Sequence, residues 1–218
     1  MKKLILSAFT LALLVSSCNN NGEKVDAKDA ENVEVIETES TVTLSTIDEA
    51  STIEWFASHL GGVAPRFGKI GIQSAEVLVN NGELSNATVI IDLNTLTVEN
   101  FEGDEEQTNK LTGHLKSADF FNVEVNPTAK FELTSIADGD DTYNSKVTGN
   151  LTILDSTKSI SFLANISSSN EAVSIQSQKF AIDRTNWGML YHVEGSEGVP
   201  TDYLISNEVG FIISVNVK

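Results

Sequence analysis

The sequence holds a single cysteine, Cys18, in 218 residues. No disulfide can join two parts of the chain, so the fold must rest on an apolar core. Basic residues are also scarce, 14 lysines and arginines against 31 acids, for a net charge of −17. So acidic a protein repels phosphates, which excludes nucleic acid as a partner. The three histidines, His59, His114 and His192, are far apart and show no His-x-x-x-His spacing, so no local ligand pair invites a metal ion. No phosphate-cradling glycine loop occurs, and Gly195-Ser196-Glu197-Gly198 resembles a nucleophile elbow only superficially. Neither a nucleophile nor a general base can be nominated. The expectation is a protein without enzymatic activity, metal or cofactor.

The N-terminus carries Lys2 and Lys3, an apolar stretch from Leu4 to Val15, and then Ser16 and Ser17 before Cys18. This is the order of a secretory signal, and the stretch is shorter than the roughly 20 residues that span a bilayer. Val15-Ser16-Ser17-Cys18 looks like a bacterial lipobox, which predicts a signal peptide over residues 1–17 and lipidation of Cys18. Each buried methylene of an acyl chain contributes about 0.8 kcal/mol, so two or three long chains would hold the protein to a membrane. Loss of Lys2 and Lys3 with the signal takes the charge from −17 to −19. Asn19 stands where an aspartate is associated with inner-membrane retention, so the expected site is the cell envelope, at the outer membrane, with the face open.

From Asn19 to Thr41 the chain has no aromatic residue and seven acids against two lysines. Such a segment buries too little to order itself and reads, with Cys18, as a flexible linker over residues 18–41. Its reach would be about 80 Å.

Residues 42–218 form one domain by length, and their dominant pattern is alternation. Odd positions of Val209 to Val217 are large and apolar, while even positions are mostly small or polar. The same period of two runs through Ala129 to Leu133, Val147 to Ile153 and Ile160 to Ile166. Further strands are expected at Val42–Thr46, Thr52–Ser58, Arg66–Ile72, Leu84–Leu93 and Val173–Ile182, making eight or nine. Turns such as Asn80-Asn81-Gly82 and Ser168-Ser169-Asn170 join them, which means an antiparallel sandwich or barrel. Asp138-Gly139-Asp140-Asp141 lacks calcium-loop geometry and reads as a solvated turn, as does the acidic run from Glu99 to Glu106. Glu105 to Phe121 breaks the alternation, with Leu111, Leu115 and Ala118 at helical spacing behind an acidic start. Trp55, Phe131, Leu133, Leu151, Ile153, Phe162, Phe211, Ile213 and Val215 fall on the buried side of their strands. An eight-stranded barrel either fills its interior with such side chains or encloses one small ligand.

Gly113-His114-Leu115-Lys116-Ser117-Ala118-Asp119-Phe120-Phe121, followed by Asn126-Pro127-Thr128-Ala129-Lys130-Phe131, resembles the signature of the YceI-like family. Val147 to Ile153, Thr157-Lys158, and Phe180 to Gly188 with its Arg184 and Trp187 match further elements in the same order. Thr112-Gly113 replaces the family's usual Arg-Asp, and Leu154-Asp155 replaces a usual glycine. The resemblance implies an all-β, lipocalin-like antiparallel barrel of eight strands with a short helical segment, behind a disordered stalk. It also implies an elongated apolar interior holding a polyisoprenoid or other long-chain amphiphile, so the nine residues above become candidate tail contacts. Phe120, Phe121, Arg184 and Trp187 become candidates for the barrel end, where a headgroup would sit. The expected protein is a membrane-tethered carrier for such a lipid; a surface interaction module with a filled barrel is the alternative. Nothing in the sequence speaks to its oligomeric state.

Overall fold

The computed structural model describes residues 21–218. The expected signal peptide and the lipidation site, Cys18, lie outside the described residues. The barrel is built from β4 (Thr52–Ala57), β5 (Arg66–Asn80), β6 (Glu83–Asp92), β7 (Thr128–Asp138), β8 (Ser145–Ile153), β9 (Ser156–Ser168), β10 (Val173–Ser177) and β12 (Glu208–Val217). Each pairs antiparallel with the next, β10 with β12 and β12 with β4, so the eight strands close on themselves. Closure removes the exposed edges that an open sheet of this length would present. Two shorter strands complete the wall: β3 (Thr41–Leu44) pairs with the far part of β5, and β11 (Phe180–Asp183) continues β10 along β12.

The two ends of the barrel are closed differently. At one end the connections are short hairpins at Asn81–Gly82, residues 139–144 and residues 169–172. Asn81 and Gly82 take φ of 53° and 86°, a turn whose left-handed residues suit an Asn-Gly pair. The Gly82 amide donates to the Asn170 side-chain oxygen at 2.9 Å and ties two hairpins together. At the other end run the long connections of residues 58–65, 93–127 and 184–207. The middle one carries the only α-helix among the described residues, α1 (Glu105–Lys116). Asp104 caps it by accepting from the Gln107 amide at 3.0 Å, and Glu105 and Glu106 complement the dipole in its first turn.

β5 runs eight residues beyond the expected Ile72. Its register with β6 shifts between Ile72 and Ser74, and this bulge moves the later apolar residues to the other parity. The N-terminal segment also differs from the sequence expectation along its described first part. Strand β1 (Glu23–Lys24) adds in parallel to β11, and β2 (Lys28–Asp29) pairs with β9. Asn150 on the outer wall holds Glu31 by both backbone groups, at 2.9 and 2.7 Å, and the Ser159 hydroxyl donates to the Glu31 carboxylate at 2.9 Å. The segment thus straps the seam where β10 ends and β9 and β11 part. Composition alone does not reveal this, because the strand edges and polar side chains that hold the strap lie elsewhere in the chain, with only Val25 and Ala27 of its own packing against the core.

Candidate functional site

Within the barrel lie two apolar spaces that share no lining residue. Under α1 and the long connections is a cavity of about 260 Å³ lined on the strands by Trp55, Ala57, Ile153, Ile182, Val209 and Phe211. The end is roofed by Leu111, His114, Leu115, Phe120 and Phe121 from the helical connection and by Met189, Tyr191, His192, Tyr203 and Ile205 from the last. Toward the hairpins the interior closes to about 70 Å³, lined by residues including Ile53, Val77, Phe131, Leu133, Val147, Phe162, Ile213 and Val215.

A row of phenylalanines marks the boundary. Phe131 lies 6.0 Å from Phe162, Phe162 stacks on Phe180 at 4.5 Å and 4°, and Phe180 lies 6.1 Å from Phe211. Phe211 touches the large cavity, Phe131 and Phe162 the small one, and Phe180, 2% exposed, lies between. Period two places them so, because Phe211 follows Val209 and precedes Ile213 on one face of β12.

The roof is knitted by Arg184, which is 1% exposed. Its guanidinium donates to the carbonyls of Ser206, Met189, Tyr191 and Ile205 at 3.1, 2.7, 2.9 and 3.3 Å. Burial pulls its pKa below the usual arginine range, while the charges of Asp183 and Glu194 oppose that shift. Four carbonyls, rather than a carboxylate within ion-pair distance, thus hold the charge. Across the mouth, the His114 ring meets Phe120 and Tyr191 edge-on at 5.0 and 4.8 Å while its Nε2 lies 2.9 Å from an Asp119 oxygen. This clasp joins helix to lid.

Of the residues the sequence nominated for the interior, Trp55, Ile153 and Phe211 line the large cavity. Phe131, Leu133, Phe162, Ile213 and Val215 line the small one. Leu151 lines neither and lies half-buried against the core. Of those nominated for the barrel end, Phe120, Phe121 and Arg184 line the cavity. Trp187 does not; it is 1% exposed, with its indole N–H donating to the Leu151 carbonyl at 3.0 Å, and it plugs the wall. Sequence reasoning missed the lid residues Met189, Tyr191, His192, Tyr203 and Ile205, which carry no periodicity. Their one signal was the presence of Tyr191, His192 and Tyr203 in a glycine-rich stretch.

Both arginines and all three histidines of the chain, Arg66, Arg184, His59, His114 and His192, line this one cavity, whereas none of its acids does. The histidines point to local partners: besides His114, His59 Nδ1 lies 2.6 Å from the Asp202 carbonyl and His192 Nδ1 3.2 Å from that of Tyr203. Among the described residues no group of three metal-ligating side chains is assembled. Arg66, half-buried, has its guanidinium carbon 4.9 Å over the Phe101 ring. The arrangement offers an apolar chamber whose only charged lining is basic.

The YceI-like domain matches residues 29–217 of this chain. UPF0312 proteins of Pseudomonas aeruginosa strains LESB58 and UCBPP-PA14 are 31% identical to it over 115 residues, 52% of this chain and 55% of theirs. The chain thus spans about half the length of these curated relatives. Among solved structures, Burkholderia cenocepacia BcnA is similar with a TM-score of 0.57 at 16% identity, over 79% of this chain and 99% of that one. A polyisoprenoid-binding domain from Saccharophagus degradans gives 0.55 at 15%, over 80% and 97%. At such identities these two likenesses bear on the fold alone, and they share the barrel. With a domain match that runs from the strap to the last strand, the chain belongs to the YceI-like family.

Proposed function

We propose that this protein is a lipid-anchored envelope protein that binds a long-chain amphiphile, an isoprenoid or a lipid of similar shape, in the helix-end cavity and carries or sequesters it. The observation that supports this most is the 260 Å³ chamber itself, walled by Trp55, Leu115, Phe121, Ile153 and Phe211. Each methylene moved from water into such surroundings contributes about 0.8 kcal/mol, so a tail is held without any catalytic group. Arg66, which donates to the Pro65 carbonyl through Nη1, keeps further guanidinium N–H groups for a head that accepts hydrogen bonds. The polyisoprenoid binding of the Saccharophagus domain is in keeping with this reading.

The test is organic extraction of the protein purified from its own organism, followed by mass spectrometry. One amphiphile per chain is expected; recovery of none counts against the proposal. A filled barrel displayed for a protein partner is the competing reading, and the closely packed hairpin half favours it there. The hollow helix end weighs against it.

A further inference from the structure

Exposed apolar side chains gather at the helix end of the barrel. Of eight large hydrophobic residues exposed among the described residues, Val63, Phe67, Val125, Leu190 and Tyr203 sit on or beside its long connections, at 41 to 70% exposure. Leu190 lies between Met189 and Tyr191 and Tyr203 itself lines the cavity, while Phe67, next to the cavity residue Arg66 on β5, faces the outside of the wall at the same end. The His59 amide donates to the Val63 carbonyl at 2.9 Å while its ring reaches the Asp202 carbonyl, so the Val63 and Tyr203 loops are neighbours. An apolar rim thus frames the cavity mouth, a feature that marks an interaction site.

The strap carries the start of the chain to the same end. Asn21, 3% exposed, crosses the outer wall at Gly210, where an added Cβ would meet its carbonyl oxygen at 2.0 Å. Gly210 is the third residue of β12, about 7 Å along the strand from the helix end and about 24 Å from Val217 at the hairpin end. Three residue steps from Asn21 to Cys18 span at most about 11 Å. Cys18 itself, which would sit at the headgroups with its acyl chains inserted, therefore lies within reach of the helix end and out of reach of the hairpin end.

We infer that the rim is a membrane-docking face, seated on the same bilayer that holds Cys18, so that the cavity opens onto lipid. This rests on the lipid-anchor part of the proposed function and not on its choice of ligand. The docking is apolar rather than electrostatic, because Glu194, Glu197 and Asp202 on the lid are exposed and the whole chain is acidic. A rim of five side chains binds weakly alone, but a short anchor raises its local concentration at the surface enough to hold it down.

The test uses the full lipidated chain in phosphatidylcholine vesicles containing spin-labelled lipid. Single environment-sensitive fluorophores are placed through Leu190→Cys, Tyr203→Cys or, as control at the hairpin end, Ile136→Cys. Most of the emission at 190 and 203 should be quenched and little at 136, and replacing part of the lipid with phosphatidylglycerol should lessen the quenching. Equal quenching at all three, none at 190 and 203, or a requirement for anionic lipid would overturn the inference. So would an intact mass showing Cys18 unacylated. Failure to extract a cavity ligand would sink the carrier reading and leave the docking face standing.

Discussion

The two halves of the barrel interior share the walls of β4, β5, β8 and β12 and yet end up opposite in character. Toward the hairpins, alternating apolar residues from every side interdigitate and leave about 70 Å³, whereas toward the helix about 260 Å³ stays open. Short hairpins bring adjacent strands together with nothing between them, so the inward side chains must fill the space themselves. Long connections instead lay a roof across the barrel, held up by hydrogen bonds within itself and to the strand rims, as where the Thr97 amide donates to the Lys69 carbonyl and the Trp187 indole to that of Leu151. A cavity persists where the structure above it is supported from its edges.

Arg184→Met should break the comparison most severely. The substitution leaves the carbonyls of Met189, Tyr191, Ile205 and Ser206 without their donor, and each orphaned buried group costs about 1–3 kcal/mol. A loss of roughly 4 kcal/mol in urea unfolding is expected, after allowance for partial relaxation. Hydrogen exchange should rise over residues 189–205 and stay slow in the hairpins. Arg184→Lys should rescue little, because an ammonium cannot reproduce the planar fork. A cost under 1 kcal/mol would mean that the roof stands without this residue.

Next come paired truncations on either side of the phenylalanine row. Phe162→Ala opens a hole in the filled half, stacked as Phe162 is on Phe180, and should cost about 3–5 kcal/mol. Phe211 is half-buried and borders space that is already empty, so Phe211→Ala should cost distinctly less stability and act on binding instead. In a homologous series of amphiphiles, affinity should climb about fourfold per methylene until the tail meets the row, and then level off. In Phe211→Ala the plateau should move to longer tails. A wild-type series that never levels off would show that the row swings aside and that the two spaces act as one.

How much of this was legible in the sequence follows the same division. Residues such as Phe131, Leu133, Ile213 and Val215 were placed on the interior face because period two dictates it. The hidden part of β5 was lost to the bulge at Ile72/Ser74, which a count of alternation cannot see through. Leu154, at a position where the family pattern has glycine, adopts φ of 52° and still packs against the core, so the departure bends no strand. The lid was illegible, since Met189 and Ile205 are ordinary apolar residues in a turn-rich stretch, brought together by Arg184 and by hydrogen bonds such as that from the Ile205 amide to the His192 carbonyl. The linker was misjudged between Asn21 and Glu31 for a related reason, since its partners Asn150 and Ser159 are far away in sequence and read only as the polar side of their strands.

That strap yields a smaller prediction. Asn150→Ala removes both hydrogen bonds to the Glu31 backbone, and a loss of about 1–2 kcal/mol is expected from them. The sharper readout is protease cleavage between residues 26 and 34, which should accelerate while the barrel stays intact. Unchanged cleavage would show that strand pairing at Glu23–Lys24 and Lys28–Asp29 suffices to hold the strap.

The smallest effect belongs to the hairpin end, where the wall closes with tight turns. The Asp140 carboxylate accepts from the Tyr143 and Thr142 amides, each at 2.8 Å, and these bonds hold its pKa below the usual carboxylate range. A carboxyl whose pKa is lower folded than unfolded stabilises the fold fully above the unfolded value, about 3.9, and ceases to as the pH falls through the folded one. Asp140→Asn keeps an acceptor but forfeits its charge, so the variant should unfold slightly earlier in urea at pH 7. That gap should narrow below pH 4 and close once the native carboxylate is protonated. Because the turn lies far from the cavity, amphiphile affinity should be the same in both proteins at every pH where both are folded. A change in affinity would mean that the two ends, built so differently, are mechanically joined through the phenylalanine row.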